Sequence, residues 1–177
     1  MVTDVAPAFI EASRKHLTGE YLPKIQKCLE TLAEEDIWWR PGPASNSAGN
    51  LVLHLCGNAR QWIVHGVGGA PDLRERSEEF AIEGGIGSAQ LAHHLETTLA
   101  DVDAVLAAVE RDVTGRPDVL LGRRVIQGLD VSVLEAIYHV VEHFSQHAGQ
   151  IFYITKMRTG GDLAFWEVSD GVARPNW

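Results

Sequence analysis

Apolar residues recur with the 3.6-residue period of a helix over four long segments of this chain, and glycine- and proline-rich connections separate them. In the first segment, about residues 7 to 32, the repeat is carried by Phe9, Ile10, Ala12, Leu17, Tyr21, Leu22, Ile25, Leu29 and Leu32. Pro23 cannot donate a helical hydrogen bond, so a kink or local break is expected near Gly19 to Leu22. The run IWWRPGPASNS ends this helix, and Trp38 and Trp39 either line a pocket or, more commonly for such residues, pack at the helix end. The second helix is capped by Asn46 or Ser47 and runs to about His65. The third takes Ser88 as its cap and runs to about Asp112 on a stripe of Leu91, Leu95, Leu99, Val102, Leu106 and Val109, with His93 and His94 exposed beside it. The fourth opens on a capping box, Ser132 with Glu135, and continues to Met157. On it, Leu134, Ile137, Val141, Phe144, Ala148, Ile151 and Phe152 share one side, wide enough to face a core.

The connections complete the expected architecture. Residues 66 to 87 are rich in glycine around a charged centre, DLRERSEE, which suits either a lid or a solvated crossover between two helices running in the same direction. Between residues 114 and 130 the helical period is broken, and RRVIQGLDV reads as a short hairpin or extended segment. After Met157 only loop is expected, with Phe165 and Trp166 tying it to the core or to a partner chain. The expected fold is all-α, four long helices with long connecting loops.

Composition narrows the function classes. With 177 residues, 45% hydrophobic and 22% charged, residues 1–177 read as a single domain with a full core. A net charge of −9 without any run of Lys or Arg argues against nucleic acid or an anionic membrane surface as partner. There is no apolar run of membrane-spanning length and no basic-then-apolar leader, so a soluble, cytoplasmic protein is expected. Cys28 and Cys56, the only cysteines, sit in helical apolar patterns and read as reduced core residues.

The candidate chemistry lies on helices two and four. Helix two is apolar nearly all round, and its polar residues His54, Asn58, Gln61 and His65 gather in a sector of about 60° when plotted at 100° per residue. Unpaired buried polar groups cost about 1–3 kcal/mol each, so such a seam faces a polar cavity or another seam, or its members satisfy one another. On helix four, His143 and His147 stand one turn apart at the border of the apolar stripe, a spacing that can aim both imidazoles at one atom. With His54 they make three neutral nitrogen donors on two rigid elements, a set that leaves a coordination position open for chemistry. Asn58 and Gln61 could then orient ligands or contact substrate. His139, Glu142 and His143 also spell H-x-x-E-H, but Glu142 falls on the solvent side of the wheel, where a base cannot serve a buried ion. The forward H-E-x-x-H motif fails at Phe144, and no Glu-x-x-His pair for a di-iron site is present.

The stretches NSAGNLVLHLCGNARQWI and VLEAIYHVVEHFSQHAGQIFYITKM resemble the DinB/YfiT-like superfamily of metal-binding four-helix bundles, over about residues 8 to 158. That resemblance implies an up-down-down-up bundle, frequent homodimers, and a divalent ion (zinc, nickel or iron) held by His54, His143 and His147. Some relatives are thiol S-transferases or isomerases that use a low-molecular-weight thiol, and others are described only as metal-dependent hydrolases. Nothing in the chain matches a thiol-binding signature. Two readings follow from the residues and the resemblance. In one, the ion lowers the pKa of a thiol or water that attacks a small electrophile seated between helix two and the 66–87 loop. In the other, the protein is not an enzyme and the ion clips helices two and four together. Either way, acidification through the histidine range is expected to release the metal. No general base can be named.

Overall fold

The computed structural model describes residues 5–177. The fold is mostly helical, with two short antiparallel hairpins, so the all-α expectation holds for the core and needs correcting at its margins. The first helical segment is α1 (Val5–His16), a π-helical turn (Leu17–Tyr21) and α2 (Leu22–Thr31). Pro23 is the second residue of α2, and the expected break is the π turn that runs directly into it. A short α3 (Glu34–Ile37) follows. Trp38 and Trp39 are packing residues: Trp38 Nε1 donates to the Ile86 carbonyl at 2.9 Å, and the Arg158 guanidinium lies 4.8 Å from the Trp39 ring centre.

The second segment is α4 (Ala48–Ala59), extended by a π-helical stretch from Arg60 to His65. Ser47 is its cap, in a reciprocal box with Asn50. Ten of the twelve α4 residues are buried, as a helix that is apolar nearly all round requires. In the connection after it lies a short helix, α5 (Arg76–Ala81), which packs on α4. The third long element is α6 (Ser88–Val113), and here the expected cap moves by one residue. Gly87 is the cap and Ser88 the first helical residue, because the Ser88 amide and hydroxyl both donate to Glu34 rather than to the helix's own end.

A 3-10 turn (Pro117–Leu121) leads into β1 (Arg123–Ile126), which pairs with β2 (Leu129–Ser132). α7 (Val133–Thr159) starts from Ser132, whose hydroxyl accepts from the Glu135 amide at 3.2 Å while Glu135 Oε2 accepts from the Ser132 amide at 2.6 Å. Ser132→Ala should cost about 0.5–2 kcal/mol of stability by urea denaturation, and no measurable loss would mean that Glu135 alone holds the helix start. The tail is a second departure from expectation. It forms a hairpin, β3 (Trp166–Ser169) with β4 (Val172–Pro175), turned by Asp170 and Gly171 at positive φ. Phe165 packs on Phe152 of α7 at 4.8 Å between ring centres, as expected, and the Lys24 ammonium of α2 stands 4.0 Å from the Trp177 ring centre.

α4 lies against α6 and α7, and α2 lies against the same two, so the core is formed where these four long elements meet. Cys28 and Cys56 are free and buried within it, as the sequence led us to expect. Among the described residues no helix is long and apolar enough to cross a membrane.

Candidate metal centre

α4 and α7 meet along their polar seams, and the meeting point carries histidine from both. Between His54 Nε2 and His143 Nε2 the distance is 2.9 Å, and the ligand atoms of His54, His143 and His147 all lie within 4.8 Å of one another. His54 is buried and the other two are half-buried. Two of the rings are held from the far side. The His54 Nδ1 stands 2.7 Å from Glu79 Oε2, and the His147 Nδ1 stands 2.7 Å from Gln150 Oε1. An acceptor at that distance calls for a proton on Nδ1, which leaves the Nε2 lone pair free. Burial, reinforced by His147, His54, His139 and Arg74, pushes His143 down to about 3; burial also lowers His147. Both rings are therefore neutral near pH 7, the form that ligates a metal.

This donor set fits a divalent ion. Three neutral imidazoles satisfy a borderline cation such as zinc, and metal–nitrogen bonds of about 2.0–2.1 Å need only a small side-chain adjustment from the spacing here. Among the described residues no fourth protein ligand joins them. Cys56 is not a candidate, since burial pushes its thiol up to about 12 and it remains protonated.

The other residues singled out by the sequence are sorted by the structure. Asn58 Nδ2 reaches His139 Nε2 at 3.1 Å, and the His139 ring lies against Trp62 at 3.9 Å between ring centres. Asn58 Oδ1 and Trp62 Nε1 are buried without a hydrogen-bond partner. Gln61 turns away from the imidazoles: its Oε1 accepts from Arg74 at 3.0 Å and its Nε2 donates to Asp72 at 2.8 Å. His65 bonds the Ala70 carbonyl at 2.6 Å and takes no part in the cluster. Glu142 is exposed, so the H-x-x-E-H reading lacks its base.

Two site residues were hidden in the sequence. Arg74 and Glu79, from the connection that read as a lid or a solvated crossover, bury their side chains to 4% and 9% exposure. Arg74 Nε and Nη2 grip the two Glu79 oxygens at 2.7 and 3.0 Å. Burial works to raise Glu79, but the hydrogen bonds from His54 and Arg74 outweigh it and hold the carboxyl below its usual range. The signal that could have found them is Gly57, which leaves room on the side of α4 that carries His54. A Cβ there would stand 2.0 Å from Glu79 Oε1.

Two cavities flank the cluster. One, of about 440 Å³, lies between α4 and the 66–87 connection, with Leu53, Gly57, Leu73, Arg74 and Glu79 in its wall. The other, of about 530 Å³, is walled by Ser45, Asn46, Gln146, Gln150 and Tyr153 beside His147.

A mostly helical chain with these three imidazoles at the junction of its second and last long helices belongs to the DinB/YfiT-like superfamily. Within it, the chain is a member of the mycothiol-S-transferase family, whose profile matches residues 15–157. No protein of curated function matches it.

Proposed function

We propose that this protein is a metal-dependent thiol S-transferase, its long helices forming the up-down-down-up four-helix bundle of the superfamily. The observation that carries the reading is the convergence of His54, His143 and His147 with no fourth protein ligand among the described residues. These three would hold the ion, zinc, nickel or iron. When bound, a divalent ion lowers the pKa of a thiol or water presented to it, so that a nucleophile forms near neutral pH. The family favours the thiol over the water of a hydrolase.

The chain's own groups then bind and orient. The cavity beside His147 sets neutral amides and hydroxyls among Pro41, Leu51 and Ile154, and Gln150 belongs both to that wall and to the His147 hydrogen bond. The thiol enters from this side. In the seat expected between α4 and the 66–87 connection, the Arg74–Glu79 pair forms the wall next to His54, and the electrophile would sit against it. Asn58 Oδ1 and Trp62 Nε1 offer an acceptor and a donor to a polar group of the substrate, whose desolvation cost of about 1–3 kcal/mol each would then be recovered. An ion that merely clips two helices would be met by four protein ligands, so the open set of three supports an enzyme over a structural site. A cytoplasmic homodimer acting on a small electrophile belongs to the same proposal.

The test is metal analysis of protein purified without a histidine tag, beside consumption of mycothiol by a model electrophile. About one divalent ion per chain is expected, with both metal and activity lost in His54→Ala and His147→Ala. Undiminished metal in both variants would remove the site.

A further inference from the structure

We propose that Glu79, clamped by Arg74, is the positioning residue that makes His54 a metal donor, so that the 66–87 connection is part of the site. The inference rests on the three-histidine reading and deepens it. Glu79 Oε2 stands 2.7 Å from His54 Nδ1 and 3.0 Å from Arg74 Nη2, while Arg74 Nη2 itself lies 3.2 Å from His54 Nδ1. Two tautomers could be drawn for His54. With the proton on Nε2, the Nδ1 lone pair would face a carboxylate oxygen at 2.7 Å, lone pair against lone pair. With the proton on Nδ1, His54 and Arg74 are neighbouring donors converging on one acceptor. The second arrangement is the one that places a proton in the 2.7 Å contact with the carboxylate, and it turns the Nε2 lone pair towards His143.

The clamp has no slack. Arg74 Nη1 donates to Gln61 Oε1 at 3.0 Å, Gln61 Nε2 donates to Asp72 Oδ2 at 2.8 Å, and Gln127 at the β1–β2 turn donates to the same Gln61 oxygen. His54, Glu79 and Arg74 have side-chain exposures of 7%, 9% and 4%, so the tautomer preference is expressed in a medium that screens it little. Nor does stability explain the pair. A buried ion pair is often no better for folding than apolar groups of the same volume, because desolvation consumes the attraction. What an apolar pair cannot do is hold a proton on Nδ1.

That contrast supplies the test. In Arg74→Met/Glu79→Met the buried charges leave together, so no lone charge is stranded and the fold is retained. Zinc affinity is read by competition with a chromophoric chelator, and the His54 tautomer by ¹⁵N NMR of metal-free, histidine-labelled protein. The double variant should bind zinc about 10–100-fold more weakly than the wild type, with His54 shifting from the Nδ1–H towards the Nε2–H form. Glu79→Gln, whose Oε1 can still accept from Nδ1–H, should keep the tautomer and lose less affinity. Zinc binding within about two-fold of the wild type in the double variant, or an Nε2–H tautomer in the wild type, overturns the proposal. A wild type that binds no zinc sinks the metal reading instead, and the metal-free spectra still decide whether Glu79 governs His54.

Discussion

Gly57→Ala is expected to destabilise the protein by about 2–4 kcal/mol and to weaken zinc binding with it. Two effects oppose each other at this position. Alanine inside a helix is worth about 1 kcal/mol over glycine, while losing one partner of a buried ion pair costs about 3–5 kcal/mol, a scale that pushing Glu79 out of its seat beside His54 and Arg74 approaches. The new Cβ would stand 2.0 Å from Glu79 Oε1, 2.9 Å from its Cδ and 3.0 Å from Arg74 Nε. Those atoms are ends of long side chains, but each is pinned by the other and by His54 or Gln61, so moving them forfeits the network. The second effect therefore wins. Gly149 on α7 is the control: it is exposed, and a Cβ there meets nothing within 4 Å. Gly149→Ala should raise stability by about 0.5–1 kcal/mol. Urea denaturation of the two variants reads the difference, and a Gly57→Ala protein as stable as Gly149→Ala would show that the clamp yields without cost.

Phe144→Ala should remove about 3–5 kcal/mol, and at about 2–4 °C per kcal/mol for a chain of this size the melting temperature should fall by about 6–20 °C. Phe144 is among the largest side chains with no exposed surface, and its ring centre stands 6.2 Å from that of Tyr21 in the π turn before α2. Deleting it opens a cavity between the first and last long helices, beside the turn of α7 that carries His143. Calorimetry of metal-free protein is the clean measurement, because bound zinc stabilises the native state by mass action and masks part of the loss. A fall of less than about 3 °C would mean that the neighbouring side chains collapse into the space.

How much of this was legible follows from what each signal depends on. The long helices depend on periodicity within one segment, and a wheel plotted on the chain finds them; the three imidazoles needed two such wheels and the family resemblance together. His54 and Asn58 precede the π stretch of Arg60–His65, so the wheel holds for them. Gln61 and His65 lie inside that stretch, where the wider turn shifts the phase. Gln61 still reaches the His54 side through Arg74, while His65 bonds a backbone carbonyl. Arg74 and Glu79 were illegible for another reason. DLRERSEE has the composition of a solvated surface segment, and nothing local says that one arginine and one glutamate of it are drawn inward by a histidine and a glycine on α4. The tail hairpin, by contrast, was written in the chain: EVSDGVA places Asp-Gly between short flanks that can pair, the commonest signature of a two-residue turn. Ser88 shows the limit of cap rules, since a glutamate far away in sequence claimed the hydroxyl that a cap would have used.

The two cysteines carry a last consequence. Burial pushes Cys28 up to about 11 and Cys56 up to about 12, so neither offers a thiolate near neutral pH and neither can be reached from outside. Under the proposed function the chain meets a thiol together with its disulfide, and an exposed protein thiolate would attack that disulfide, expel one thiol and be left as a mixed disulfide. With both sulfurs buried and protonated, neither can enter that exchange, whatever the redox state of the surrounding thiols.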